Sequence, residues 1–134
     1  MPKEEFMNNM RIFQNGVVIV NTTPHPLTIQ DMDGRLVTVP SDPEYVLNAT
    51  CVEHNVTNLL VKTEFVGLPE GQGIILRIQS KVAQLYPGKQ LMIVGSIIAA
   101  QAYPGQVVSV CPVPGYERVA PSEKRMRCDK FTVF

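Results

Sequence analysis

The sequence predicts an α+β fold that consists mainly of antiparallel β-sheet with one or two short helices. Runs of β-branched residues bounded by turn residues recur along the chain, which is typical of strands. Helical character is confined to two short segments that each end in Tyr-Pro-Gly. The chain has 134 residues, of which 45% are hydrophobic and 18% charged, as expected of one domain with a buried core. We therefore expect one domain over residues 1–134, with a polar N-terminal arm (1–15) and a basic C-terminal tail (116–134).

The first predicted strand follows Gly16, and the ordered core is expected to start there. Val17–Val20 is a β-branched run of the kind found in buried strands. A hairpin follows, because Asp33-Gly34 supplies the positive φ of a tight reversal between two alternating segments. The further strands bring the sheet to about five members, and the last one comes before Pro112–Gly115, where regular structure is expected to end. The predicted strands after the first are 27–29, 36–39, 45–52, 59–66 and 106–110.

An internal echo is the most informative pattern in the sequence. Ala83–Lys89 (AQLYPGK) is followed 17 residues later by Ala100–Gln106 (AQAYPGQ). An apolar stretch, a serine and an alanine-containing run precede each copy. This order predicts two strand–helix units in tandem, each closed by proline and glycine, with strands at 74–76 and 91–94 and a flexible loop at 69–73.

Charge and composition exclude several classes of function. The 12 basic and 12 acidic side chains cancel, so no overall field would attract a nucleic acid polymer or an anionic membrane. The N-terminus lacks a secretory signal pattern, and no apolar run approaches the ~20 residues that span a bilayer. The three cysteines are widely spaced and are expected to be reduced. These features predict a soluble cytoplasmic protein without metal or cofactor.

The polar segment after the first strand is the main candidate site. Asn21, Thr22, Thr23 and His25 stand among prolines that fix the backbone, so they could present donors and acceptors to a small polar ligand. The alternative is a turn that holds the strand end, with these side chains bonded to backbone. Neither histidine has a metal-ligand spacing, and no nucleophile with a base is recognisable, so we expect no enzymatic activity.

Four further residues complete the predicted binding set, each with an alternative structural role. Ser96 either contacts ligand or caps the helix that begins there, and Tyr103 either stacks on a ring or covers a helix end. Arg118 and Arg125 could bind phosphate through their guanidinium groups, or could pair with acidic neighbours in a solvated tail.

Three segments together resemble a family of small proteins of bacteriophages and prophages that opens with N-[LT]-T-P-H. The segments are Val20–Pro26 (VNTTPHP), Gly67–Pro69 (GLP) and Ile93–Ala99 (IVGSIIA), and the resemblance covers roughly residues 17–112. It departs from the family in the clear Tyr-Pro-Gly echo and in the basic C-terminal extension.

The resemblance implies a phage context in which small proteins commonly act by binding. The function it favours is sequestration of a small phosphorylated signal of host immunity, a nucleotide or an ADP-ribose derivative, by a homo-oligomer in the host cytoplasm. The alternative is a protein that binds protein, either an inhibitor of a host defence enzyme or a phage structural or accessory component. A hydrolase that uses His25 as base is the third and least favoured possibility.

Overall fold

A computed structural model describes residues 7–134 and confirms the α+β fold class. The described residues form nine strands, two α-helices and two short 3₁₀ helices (Pro43–Tyr45 and Pro121–Glu123). The elements, in chain order, are β1 (Met10–Ile12), β2 (Val17–Asn21), β3 (Leu27–Gln30), β4 (Leu36–Val39), β5 (Ala49–Asn55), β6 (Val61–Gly67), α1 (Pro69–Leu85), β7 (Gln90–Val94), α2 (Ile97–Ala102), β8 (Ser109–Pro112) and β9 (Met126–Thr132).

The strands form three sheets, so the expectation of one sheet of about five members is wrong. The first sheet has the order β1-β2-β7, with β1 antiparallel and β7 parallel to β2. The second has the order β4-β3-β9-β8, and the third is the hairpin β5-β6. The predicted turn at Gly34 is confirmed, since this glycine joins β3 to β4 with a φ of +88°.

The first sheet is the middle layer of the molecule and has a core on each face. Every residue of β2 is buried, which matches its continuous apolar sequence. Val18 and Val20 belong to a core with side chains of both helices, whereas Val17 and Ile19 belong to a second core with side chains of the four-stranded sheet. Because the side chains of β2 point alternately to the two faces of the sheet, this one strand contributes to both cores.

Two predictions are wrong in the region of α1, because this helix includes both the predicted loop 69–73 and the predicted strand 74–76. Pro69 stands at its first turn, where the missing N–H costs nothing and the fixed φ suits a helix. The buried residues Gly71, Ile75, Ile78 and Val82 recur at intervals of three or four. A short apolar run cannot by itself distinguish helix from strand, and here the longer helical period decides.

Both ends of the described chain belong to the fold, so residues 7–15 and 116–134 are not an arm and a tail. Met7, Met10 and Phe13 are buried, and β1 pairs with β2. Strand β9 lies between β3 and β8 and buries Cys128. The remainder of the predicted N-terminal arm, residues 1–6, lies outside the described residues.

Candidate functional site

The predicted polar loop is folded inward. Asn21, Thr22 and Thr23 are all buried. The Asn21 Nδ2 group donates to the backbone oxygens of His25 at 2.8 Å and Val39 at 3.1 Å, and Asn21 Oδ1 accepts from the Thr23 backbone N–H at 2.9 Å. Thr22 Oγ1 donates to the Val94 backbone oxygen at 2.8 Å. These contacts tie the end of β2 to β4 and β7, as in the alternative in which the loop is a strand-end turn.

The other predicted binding residues lie on separate elements. His25 and Arg118 are exposed, in the loop after β2 and in the segment between β8 and β9. Ser96 caps α2, with its Oγ accepting from the Ala99 N–H at 3.1 Å. Arg125 lies over the Tyr116 ring, 4.2 Å from the centroid, and donates to Gln30 Oε1 at 3.3 Å. Within residues 7–134, no hydrogen bond joins the loop, Ser96, Tyr103, Arg118 or Arg125 to one another.

Tyr103, predicted as a ligand contact, is instead the anchor of the β5–β6 hairpin. Its ring is buried at the end of α2. Its hydroxyl accepts from the backbone N–H of Leu68 at 2.9 Å and donates to the backbone oxygen of Asn48 at 2.8 Å. Asn48 comes directly before β5 and Leu68 directly after β6. One buried side chain therefore holds both ends of the hairpin.

The β5–β6 hairpin, called the ribbon below, is exposed over most of both faces. Its strands pair antiparallel from Ala49 opposite Gly67 to Asn55 opposite Val61. Six of the seven residues of β5 and five of the seven of β6 are exposed. An isolated two-stranded ribbon is at best marginally stable in water. The ribbon is therefore held in place by its contacts with α2 and by the Tyr103 anchor.

The tip of the ribbon, residues 56–60, presents apolar side chains on an ordered turn. The backbone N–H groups of Val56 and Thr57 donate to the Leu60 oxygen at 2.9 and 3.1 Å, and Thr57 Oγ1 accepts from the N–H of Leu60 at 3.1 Å. Leu59 is 93% exposed, Val56 64% and Leu60 60%. Clustered exposed apolar side chains of this kind mark interaction surfaces.

At the other end of the ribbon, α2 adds a second apolar surface. This helix packs against β6, and its first two residues, Ile97 and Ile98, are 58% and 45% exposed. Val66 of β6 is exposed as well, on the face of the ribbon opposite to Gly67, whose Cβ position lies against Tyr103. Sequence reasoning missed these surfaces, although one signal was present: Leu59-Leu60-Val61 directly follows the polar segment 53–58 and precedes the alternating Lys62-Thr63-Glu64.

Outside the ribbon, the charged groups include an ion pair on β9, where Arg127 Nε donates to Asp129 Oδ1 at 2.9 Å. Among the described residues no group of three or more His, Cys, Asp or Glu side chains is placed to hold a metal ion. Burial raises the pKa of the Cys128 thiol, which favours its neutral form over the nucleophilic thiolate. On the ribbon, His54 Nε2 lies 3.0 Å from Glu64 Oε2.

A cavity of about 340 Å³ lies at the C-terminal end of α1. The polar residues that line it include Tyr86, which is half-buried, and Lys89, which is exposed. A cavity of about 240 Å³ lies beside β9 and is lined by residues that include Asp31, Arg127 and Asp129. The larger cavity is lined by Gln79, Val82, Ala83, Tyr86, Pro87, Gly88, Lys89 and Leu91.

Comparison with known proteins finds no matching family model, curated protein or solved structure. Neither α1 nor α2 combines the length and apolar character that a membrane span requires, and no other α-helix occurs among residues 7–134.

Proposed function

We propose that this chain acts by binding another protein through the β5–β6 ribbon. The observation that carries the proposal is the ordered tip, where Leu59 is 93% exposed and its neighbours Val56 and Leu60 are more than half exposed. Burying one such leucine against a partner would contribute about 1.5–3 kcal/mol. Protein binding was the alternative to signal sequestration in the sequence analysis, and the inward-facing polar loop makes it the better supported of the two.

The ribbon suits a protein partner more than a small ligand because most residues of both strands are exposed and none of them lines either cavity described above. Its two outer strand edges can add to a sheet of another chain, and its apolar tip can occupy a pocket. The cost of ordering is already met, since the tip turn is hydrogen bonded and Tyr103 fixes both ends of the ribbon. Given the phage resemblance, a host defence enzyme or another phage component is the partner class to test.

A photo-crosslinking amino acid placed at Leu59 tests this proposal in cells. The matched control carries the same group at Val133, which is 69% exposed near the other end of the chain. We expect a discrete adduct from position 59 and none of the same mass from position 133. Identical adduct patterns from both positions, or no adduct from position 59, would refute binding through the tip.

A pair of leucine substitutions adds a functional control. Leu59→Gln removes the most exposed apolar side chain of the tip, and Leu76→Gln removes one that is 62% exposed on α1. Neither change opens a core. We expect Leu59→Gln to lower the affinity for the crosslinked partner at least tenfold and Leu76→Gln to leave it unchanged, as measured by titration calorimetry.

A small phosphorylated ligand is the second candidate, supported by the 340 Å³ cavity at the end of α1. This volume lies within the range of ligand pockets, about 300–1,000 Å³. The Tyr86 ring and Leu91 could hold a planar apolar group there, and Lys89 could attract a phosphate.

A thermal-shift screen with cyclic nucleotides and ADP-ribose derivatives tests the ligand candidate. Ligand at a hundred times its dissociation constant adds about 2.7 kcal/mol to stability, so a clear rise in melting temperature is expected. Lys89→Ala should abolish the rise if the cavity binds, whereas His25→Ala and Arg118→Ala should weaken it if the residues predicted from sequence bind. Recovery of intact ligand from the denatured complex would exclude a hydrolase.

A further inference from the structure

Among the described residues, no strand pairs with the outer edge of β6. The ribbon forms a sheet of two strands, so β6 pairs with β5 on one side only. Residues 61–64 are all exposed, and their backbone N–H and C=O groups on the outer edge are free to form a ladder. An edge like this accepts one further strand.

The residues of β6 are arranged so that this edge is complementary to itself. Lys62 and Glu64 stand symmetrically on either side of Thr63. When two identical strands run antiparallel about a two-fold axis through Thr63, each Lys62 lies opposite the partner's Glu64, on the same face of the sheet. The same register sets Val61 opposite the partner's Phe65. Opposite charges and apolar pairs across strands each contribute about 0.2–1 kcal/mol.

We propose that the protein bound by the ribbon is a second copy of this chain, joined by antiparallel pairing of β6 with β6 about Thr63. This inference rests on the proposed function of the ribbon and identifies its partner. The product is a four-stranded sheet in the order β5-β6-β6-β5, which exceeds the three strands that independent stability requires.

The same register accounts for both apolar surfaces of the ribbon. Antiparallel pairing brings the tip of one ribbon to the base of the other, so Leu60 lies opposite the partner's Val66. The partner's Leu59 then approaches α2, where Ile97 and Ile98 are exposed. Because the contact is two-fold symmetric, the tip-to-base contact forms twice in the dimer, and each apolar surface of each copy is covered once.

Other symmetric registers lack this complementarity. A two-fold axis through Lys62 or Glu64 would set like charges directly opposite, which is destabilising. Pairing of β5 with β5 about Glu53 would place the two Glu53 carboxylates opposite each other. Pairing about Val52 would place Glu53 opposite the partner's Cys51. Among the exposed positions of both strands, Thr63 is the axis that pairs a cation with an anion.

Charge-reversal variants test the register. The wild-type chain should have twice its 14.9 kDa mass by light scattering at micromolar concentration. Lys62→Glu and Glu64→Lys should each weaken dimerisation at least tenfold, because each sets like charges opposite. The double variant Lys62→Glu/Glu64→Lys should restore the dimer, and an equimolar mixture of the two single variants should form a heterodimer. Glu53→Lys, an exposed change on β5, is the control and should leave the dimer intact.

The outcomes separate this inference from the proposed function. A wild-type chain that stays monomeric, or single variants that dimerise like wild type, would overturn the β6 pairing. If the Leu59 crosslinker then captures a different protein at a defined mass, the ribbon still binds protein and only the identity of the partner is wrong. If neither an adduct nor a dimer forms, both proposals fail.

Discussion

The two Tyr-Pro-Gly segments have nearly the same sequence but different roles. Tyr86 ends the 17-residue helix α1, is half-buried and lines a cavity. Tyr103 ends the six-residue helix α2, is 1% exposed and bonds through its hydroxyl to the backbone on both sides of the ribbon. Both helices end with the tyrosine N–H bonded to a carbonyl one turn back. The local sequence therefore determines the helix end, and the residues packed around it determine what the tyrosine does.

Glycine is the residue that makes the two environments different. A Cβ on Gly67 would lie 2.5 Å from Tyr103 Cε1, and a Cβ on Gly71 would overlap the Tyr103 hydroxyl. These two glycines leave the space that the Tyr103 ring fills. Tyr86 has no glycine-made slot of this kind and lies at the edge of the core formed by α1 and the first sheet.

Alanine substitution of the two tyrosines should give the largest difference. Tyr103→Ala empties a buried site and removes the anchor of the ribbon, so we expect a loss of about 4 kcal/mol in the free energy of unfolding. Tyr86→Ala removes a half-buried ring and should cost about 1 kcal/mol. Urea denaturation measures both. Equal losses would mean that the two segments are equivalent after all.

Alanine substitution of two glycines of α1 tests whether Gly71 leaves the space that the Tyr103 ring fills. Gly71→Ala would drive a methyl group into the Tyr103 ring and should cost about 3 kcal/mol, although alanine favours helix. Gly73→Ala, two residues away with nothing within 4 Å of the added Cβ, should instead gain about 0.5–1 kcal/mol. Thermal denaturation of the two variants measures whether the first lowers and the second raises stability. A stabilising Gly71→Ala would show that Tyr103 moves freely.

The same distinction between local and distant causes explains which elements the sequence predicts. Strand β2, the β3–β4 hairpin, β7 and the Ser96 cap follow from runs, turns and caps that neighbouring residues specify. Strand β9 was missed because its pairing partners, β3 and β8, are distant or separated by a proline-rich segment. The inward-facing position of Asn21 could not be predicted for a related reason. Whether Asn21 faces solvent depends on Val39 and His25 oxygens, whose positions no local pattern gives.

Alanine substitution of the serine that precedes each Tyr-Pro-Gly copy should change the free energy of unfolding in opposite directions. Ser96 accepts a hydrogen bond from the Ala99 N–H as the N-cap of α2, so Ser96→Ala should cost about 1 kcal/mol. Ser80 precedes the first copy of the echo by three residues, as Ser96 precedes the second by four, but Ser80 lies exposed within α1, where alanine is the better helix former. Ser80→Ala should therefore gain up to about 0.5 kcal/mol. Chemical denaturation of both variants tests this, and a costly Ser80→Ala would contradict the continuous helix.

The glycines that follow the two tyrosines should behave alike. Gly88 and Gly105 have φ values of +85° and +77°, and an added Cβ would meet nothing within 4 Å at either position. Alanine should cost about 1 kcal/mol at each, from backbone strain alone. Denaturation midpoints that agree for the two variants would show that the echo repeats a turn. Unequal costs would mean that tertiary contacts reach the turns as well, and that the similarity of the two segments ends at the tyrosine.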